Sequence, residues 1–159
     1  MTDDRMTTCN LPPPDGWSLF TLRGGFIDRN GPLFFRDDGP HGFQLGMRIE
    51  DRHCNPRGVG HGGWLMTFAD MMLPMAAHRH PKVGRFFLPT VSMSVDFLAP
   101  APLGAWLTSQ TEILRVTRNL VFGQGLVYAD DTLVARVNGV FKIGESIAKL
   151  LGDADLQDA

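Results

Sequence analysis

NPRGVGHGGWLMTFADMMLPMAA, residues 55–77, opens as a loop with glycines at Gly58, Gly60, Gly62 and Gly63 and continues as an almost unbroken apolar segment. From Trp64 to Ala77 the only polar side chains are Thr67 and Asp70. A helix that is hydrophobic on nearly every face reads as the buried central helix of a domain. Asp70 is the anomaly, because an ionised carboxylate taken out of water must be paired, protonated or turned to a cavity. Buried aspartates are often structural members of ion-pair networks. This one, however, follows a Gly-rich entry that brings free backbone N–H groups to a helix N-terminus, where the macrodipole favours negative charge. Asp70 lies about two and a half turns beyond His61, or about 13 Å along the axis. One helix cannot aim both ends at the same small-molecule carbon, so a site that uses both draws them from two copies of the chain at a two-fold interface.

Asn55, Gly58, His61, Gly62, Gly63 and Asp70, in the order N-x-x-G-x-x-H-G-G-x-x-x-x-x-x-D, closely resemble the signature of hotdog-fold acyl-CoA thioesterases, in the phenylacetyl-CoA and hydroxybenzoyl-CoA thioesterase branch that uses an aspartate. Residue types and spacing agree over sixteen positions, and the resemblance extends from about Phe26 to Ile143. It implies an α+β hotdog fold, with an antiparallel sheet of about five to six strands wrapped around one long central helix. It also implies sheets that pair edge to edge into a homodimer with two interfacial sites, and a homotetramer built as a dimer of dimers. The implied reaction is hydrolysis of an acyl-CoA thioester to free acid and coenzyme A, with no cofactor, since CoA enters as part of the substrate.

By the same resemblance, the Gly62 backbone N–H polarises the thioester carbonyl, reinforced by the helix dipole. Asp70 of the other subunit is general base or nucleophile, its basicity raised by desolvation. Asn55 helps hold the reacting groups, and His61 supports the oxyanion loop, although a histidine at a helix start is as readily a solvated residue. Thr90 falls where related enzymes carry a hydroxyl that touches the catalytic carboxylate or water, while Thr is also simply a good strand former. Arg118 and Asn119, at a turn, match a region that contacts the pantetheine arm and phosphates of coenzyme A, though exposed turn arginines are usually just solvated. Gly63, Trp64 and Phe68 complete the substrate-binding candidates. Trp64 and Phe68 could line an acyl or aryl pocket, yet aromatic residues on a buried helix are more often plain core. Trp64 is bulkier than the residue expected after the second glycine, and its indole could shorten the pocket.

Composition bounds the rest. A chain of 159 residues suits one domain and needs no staples. A net charge of −2 gives no electrostatic footprint for nucleic acid. Cys9 and Cys54 are too few for a disulfide framework, and with no signal-like N-terminus the expected compartment is a reducing cytoplasm. Nothing near Cys54 looks like an activated Cys/His pair, so it reads as structural. The run Trp64 to Ala77 is too short for a membrane span and carries Asp70 and Pro74. His78 and His80, spaced i, i+2, do not meet on a helix face, so no metal site is expected.

Along the chain, residues 1–15 read as a flexible N-terminal arm, 16–144 as a single hotdog thioesterase domain and 145–159 as a flexible C-terminal tail. Phe20 to Ile27 docks as a short helix or turn. Strands are expected at Leu33 to Arg36, Gly42 to Ile49, Thr90 to Leu98, Ala105 to Val116, Leu120 to Tyr128 and Leu133 to Ile143, from period-two alternation between turn signals. Pro74 has no N–H for the Asp70 carbonyl and should bend or end the helix. A weak amphipathic segment spans Ile147 to Leu151.

Two other functions compete. A hotdog dehydratase or hydratase acting on β-hydroxyacyl thioesters pairs a catalytic His with an acid, as His61 and Asp70 could, but His-Gly-Gly followed by Asp on one helix is the thioesterase arrangement. A non-catalytic acyl-CoA-binding module would have no need of Asp70 in its buried helix.

Overall fold

The computed structural model describes residues 11–21, 25–39 and 41–151. Most of the N-terminal arm and the last residues of the tail thus lie outside the described residues. Seven strands form one antiparallel sheet: β1 (Ser18–Phe20), β2 (Leu33–Gly39), β3 (Gly42–Arg48), β4 (Thr90–Phe97), β5 (Trp106–Val116), β6 (Leu120–Ala129) and β7 (Thr132–Lys142). Their order across the sheet is β1-β2-β3-β5-β6-β7-β4. Three helices accompany it: α1 (Gly25–Asn30), α2 (Gly62–Ala77) and α3 (Ile147–Leu151). This is the hotdog arrangement, with one more strand than expected. β1 is only three residues long, too short to display a period, and forms because Phe34 and Phe35 of β2 offer it partners, with Ser18 opposite Phe35 and Leu19 opposite Phe34.

The core forms where α2 lies on one face of the sheet. Leu65, Phe68, Ala69, Met72, Leu73 and Ala77 recur at helical spacing and are buried against Leu45, Met47, Leu107, Val121, Val137 and Phe141. Sheet glycines let the helix approach. A Cβ at Gly125 would overlap the Met72 methyl and come within 2.6 Å of the Gln110 carbonyl oxygen, and one at Gly139 would lie 3.0 Å from Leu73 Cδ1. Pro74 does not end α2, contrary to one of the two expected outcomes: the helix runs on to Ala77, and the His78 N–H donates to the Pro74 carbonyl at 3.1 Å. Pro74 is itself buried, so tertiary packing holds the turn that local propensity disfavours.

Two features of the sheet and helix position the site. α2 is not covered on every side, since Met66 is 40% exposed and Thr67, Asp70 and Met71 are half-buried. β4, next to that open side, is an edge strand of the described sheet, and its Val91 and Phe97, with Leu98 directly after it, are at least half exposed. At the other end of the domain's chain, the Ile147 N–H donates to the Arg85 carbonyl and the Phe87 N–H to the Glu145 carbonyl, so the described part of the tail is tied to the body. No helix among the described residues is long and apolar enough to cross a membrane.

Candidate functional site

Asp70 stands on the open side of α2, and Thr90 Oγ1 donates to its Oδ1 at 2.6 Å. The length suits a charge-assisted O–H···O bond. Thr90 reaches it because β4 begins directly after Pro89 and its pairing with β7 shifts register between Thr90 and Ser92, an irregularity of the kind that re-aims a side chain. Among the described residues Asp70 has no other hydrogen-bond partner, so its second oxygen is free for a water or a substrate.

The loop before α2 is closed by its own backbone. Cys54 bridges Gly60, the Asn55 N–H donates to the Val59 carbonyl at 2.8 Å, and the Gly60 N–H donates to Ala101 at 2.7 Å. Gly58 takes φ +73°, a left-handed conformation that a side chain would strain. Asn55 Oδ1 accepts the Arg57 N–H at 2.9 Å, which leaves the Asn55 side-chain NH₂ as a donor. His61 is the N-cap of α2, in extended conformation, and its Nδ1 accepts the Gly63 N–H at 3.0 Å while its carbonyl takes the N–H groups of Trp64 and Leu65. The Gly62 N–H is thereby left without an acceptor among the described residues. The nearest atom to a Cβ at Gly62 would belong to the Phe97 ring, at an ordinary 3.4 Å, so packing within the described residues does not demand a glycine there.

The chain therefore assembles two half-sites. Asp70 with Thr90 form one, and Asn55, His61 and Gly62 the other, separated by eight residues of helix, or about 12 Å of rise. Trp64 and Phe68 point into their own core: Trp64 stacks on His53 with ring centroids 4.2 Å apart, its Nε1–H donates to the Asn30 carbonyl at 3.4 Å, and Phe68 is 2% exposed. Both border a cavity of only 10 Å³, shared with Thr67 and Met71. Gly63 has its N–H on His61 and its carbonyl on the Thr67 hydroxyl. Arg118 and Asn119 sit exposed at the β5–β6 turn, where Thr117 caps the Leu120 N–H. The Ile143 N–H donates to the Asn119 carbonyl and the Lys142 N–H to Pro89, so this turn lies at the same end of the sheet as Thr90.

Burial acts on the imidazoles of two histidines, His53 and His78. Burial, with help from the Arg52 charge, lowers the His53 pKa to about 4. Burial likewise lowers that of His78, whose Nε2 lies 2.8 Å from the Phe86 carbonyl oxygen. His80 Nδ1 accepts the Lys82 N–H instead of turning towards His78. Sequence reasoning missed His53 and Phe97. His53 sits in a polar loop with no periodicity to mark it, and Phe97 reads as one more apolar residue of a strand.

The pattern of the thioesterase superfamily matches residues 57–135, a span that includes Gly62, Asp70 and Thr90. PA0474, a candidate esterase of Pseudomonas aeruginosa, is 32% identical over 132 residues, which is 82% of this chain and 96% of that protein. Among solved structures, zebrafish thioesterase superfamily member 2 is similar with a TM-score of 0.66 and 23% identity, covering 77% of this chain and 89% of that one. The BH2602 protein of Bacillus halodurans, in a crystal structure with CoA, gives a TM-score of 0.60 and 23% identity over 70% of this chain and 74% of that one. These structural likenesses carry the fold, and the identity to PA0474 across most of both proteins carries the family: the chain belongs to the thioesterase superfamily.

Proposed function

We propose that the protein hydrolyses an acyl-CoA thioester to free acid and coenzyme A, at a site made where two chains meet. The observation that carries this reading is the pairing of a free Gly62 N–H at a helix N-terminus with an Asp70 carboxylate oriented by Thr90, both on the uncovered side of α2. One chain's Gly62 amide, aided by Asn55, binds the thioester oxygen. The other chain's Asp70 takes a proton from water, whose oxygen attacks the carbonyl carbon; the C–S bond then breaks, and the coenzyme A sulfur leaves with a proton from Asp70. Asp70 acting instead as nucleophile would pass through an acyl anhydride, and opening of that anhydride by water at the Asp70 carbonyl carbon would leave ¹⁸O from H₂¹⁸O in the side chain after a single turnover.

The free edge of β4 and the exposed Val91, Phe97 and Leu98 support a homodimer formed edge to edge, and a dimer of dimers is the expected assembly. The pantetheine arm and phosphates of coenzyme A would lie at Arg118 and Asn119. Trp64 and Phe68 would meet an acyl group only through the small cavity that they share with Met71, whose flexible side chain can yield. The signature from Asn55 to Asp70 favours the phenylacetyl-CoA and hydroxybenzoyl-CoA branch.

The test is thiol release from a panel of aryl, medium-chain and long-chain acyl-CoAs, with crotonyl-CoA hydration as a control. Asp70→Asn should abolish hydrolysis while leaving the fold intact by circular dichroism. Turnover above about a tenth of wild type would exclude the carboxylate, because a catalytic base contributes ~10²–10⁴-fold.

A further inference from the structure

We propose that His53 is the residue that positions the Gly62 amide, holding it from one side through its own backbone carbonyl and from the other through its ring. The proposal rests on the reading of Gly62 as the donor to the thioester carbonyl. Gly62 and Gly63 have no side chains with which to anchor themselves, and glycine is the residue with most backbone freedom to lose. A donor that must sit within about 0.5 Å of its productive place therefore needs its flanks held. His53 holds both. Its carbonyl accepts the N–H of His61, the residue directly before Gly62, at 2.8 Å. Its imidazole lies parallel to Trp64, two residues after Gly62, with the planes 14° apart and the centroids 4.2 Å apart.

The ring is itself fixed. His53 closes a single 3-10 turn (Asp51–His53) and is 2% exposed, and its Nδ1 accepts the Glu50 N–H at 3.0 Å. That bond puts the proton on Nε2 and stops the imidazole from turning. Trp64 is tethered in turn by its bond to Asn30, whose neighbours Arg29 and Gly31 offer their carbonyls to Arg52. His53 touches no substrate in this arrangement and acts only through the two residues it grips.

The test separates positioning from mere stability by reading the carbonyl itself. In Asp70→Asn protein, an acyl-CoA labelled with ¹³C at the thioester carbonyl binds without turning over, and its infrared stretch should fall relative to the same compound in water. Adding His53→Asn, which keeps an acceptor for Glu50 but loses the ring plane, should remove at least about half of that fall. In the Asp70 background the same change should lower kcat about ten-fold or more with KM within about three-fold, since one oxyanion donor accounts for ~10²–10³ in turnover. His53→Phe keeps the plane over Trp64 and should restore kcat to within about three-fold of wild type. Should His53→Asn not fold, His53→Gln, which likewise keeps an acceptor and loses the ring plane, carries the same expectation. A folded His53→Asn or His53→Gln protein with unchanged carbonyl stretch and kcat overturns the proposal, as does a His53→Phe protein as impaired as His53→Asn. If Asp70→Asn alone leaves the bound stretch where it is in water, the role of Gly62 falls first and that of His53 with it, a result distinct from a lowered stretch that ignores His53.

Discussion

Asp70 spends one oxygen on Thr90 and Arg118 spends none of its five N–H donors on the described protein, and in the proposed reaction these two side chains would divide chemistry from binding. A contact between Arg118 and a phosphate of coenzyme A would be present in ground state and transition state alike, so losing it should raise KM with little change in kcat. We expect Arg118→Ala to raise KM between a few-fold and about a hundred-fold, the spread between a screened surface pair and a hydrogen bond to a charged group. Added salt should weaken wild type more than the variant, and a truncated thioester without the nucleotide should not distinguish them. Equal loss of kcat on both substrates would remove Arg118 from the coenzyme groove. A second residue-scale expectation concerns pH. His53 binds a proton near pH 6.5 when unfolded but only near 4 when folded, so between those values the unfolded chain holds more protons and stability falls as pH falls. The His78 shift has the same direction and adds to the slope. The His53 contribution is full above about pH 6.5 and at most about 3 kcal/mol. The Tm of wild type should drop by several degrees between pH 7 and pH 4.5, and His53→Phe should show a shallower drop; parallel curves would show that His53 is not what titrates.

Among the elements, α2 carries most of the argument, because one side of it builds the core and the other carries the candidate chemistry. Its seat on the sheet depends on glycines that no period in β6 or β7 predicts. Gly125→Ala must displace the Met72 side chain and also crowd the Gln110 carbonyl, which is backbone and gives little. Overpacking of this kind destabilises by about 1–3 kcal/mol. Urea denaturation should show that loss with the m-value unchanged, whereas a stability equal to wild type would mean that α2 can slide on its sheet. The same element explains why Pro74 is tolerated: a buried stripe from Leu65 to Ala77 outweighs one missing backbone hydrogen bond.

At the scale of the whole molecule, two half-sites on one helix, about 12 Å apart, call for a second copy. The uncovered side of α2 and the unpaired edge of β4 are adjacent, so one two-fold contact would cover both. Mixing Asp70→Asn chains with Asn55→Ala chains should therefore recover activity that neither has alone, since a hybrid dimer holds one intact site. Recovery should approach about a quarter of the wild-type rate per chain on statistical exchange, with two sites per dimer arising from the two-fold symmetry. Sedimentation showing a fully active monomer, or no recovery after verified exchange, would sink the shared site.

The order of strands and the central helix were legible in the residues because period-two runs such as Val91, Met93, Val95 and the apolar segment after Gly63 are local signals that packing only has to accept. The distance between Gly62 and Asp70 was equally determined by the sequence, since helical rise is a property of the backbone. Thr90 could be singled out by its resemblance, but its bond to Asp70 twenty residues away depends on an irregular start to β4 that only pairing with β7 produces. Tertiary structure alone decided that β1 becomes a strand, that α2 runs past Pro74, that Trp64 turns into the core, and that His53 lies behind the loop. Each of these depends on which distant surface is available to cover a residue, and a one-dimensional pattern carries no record of that.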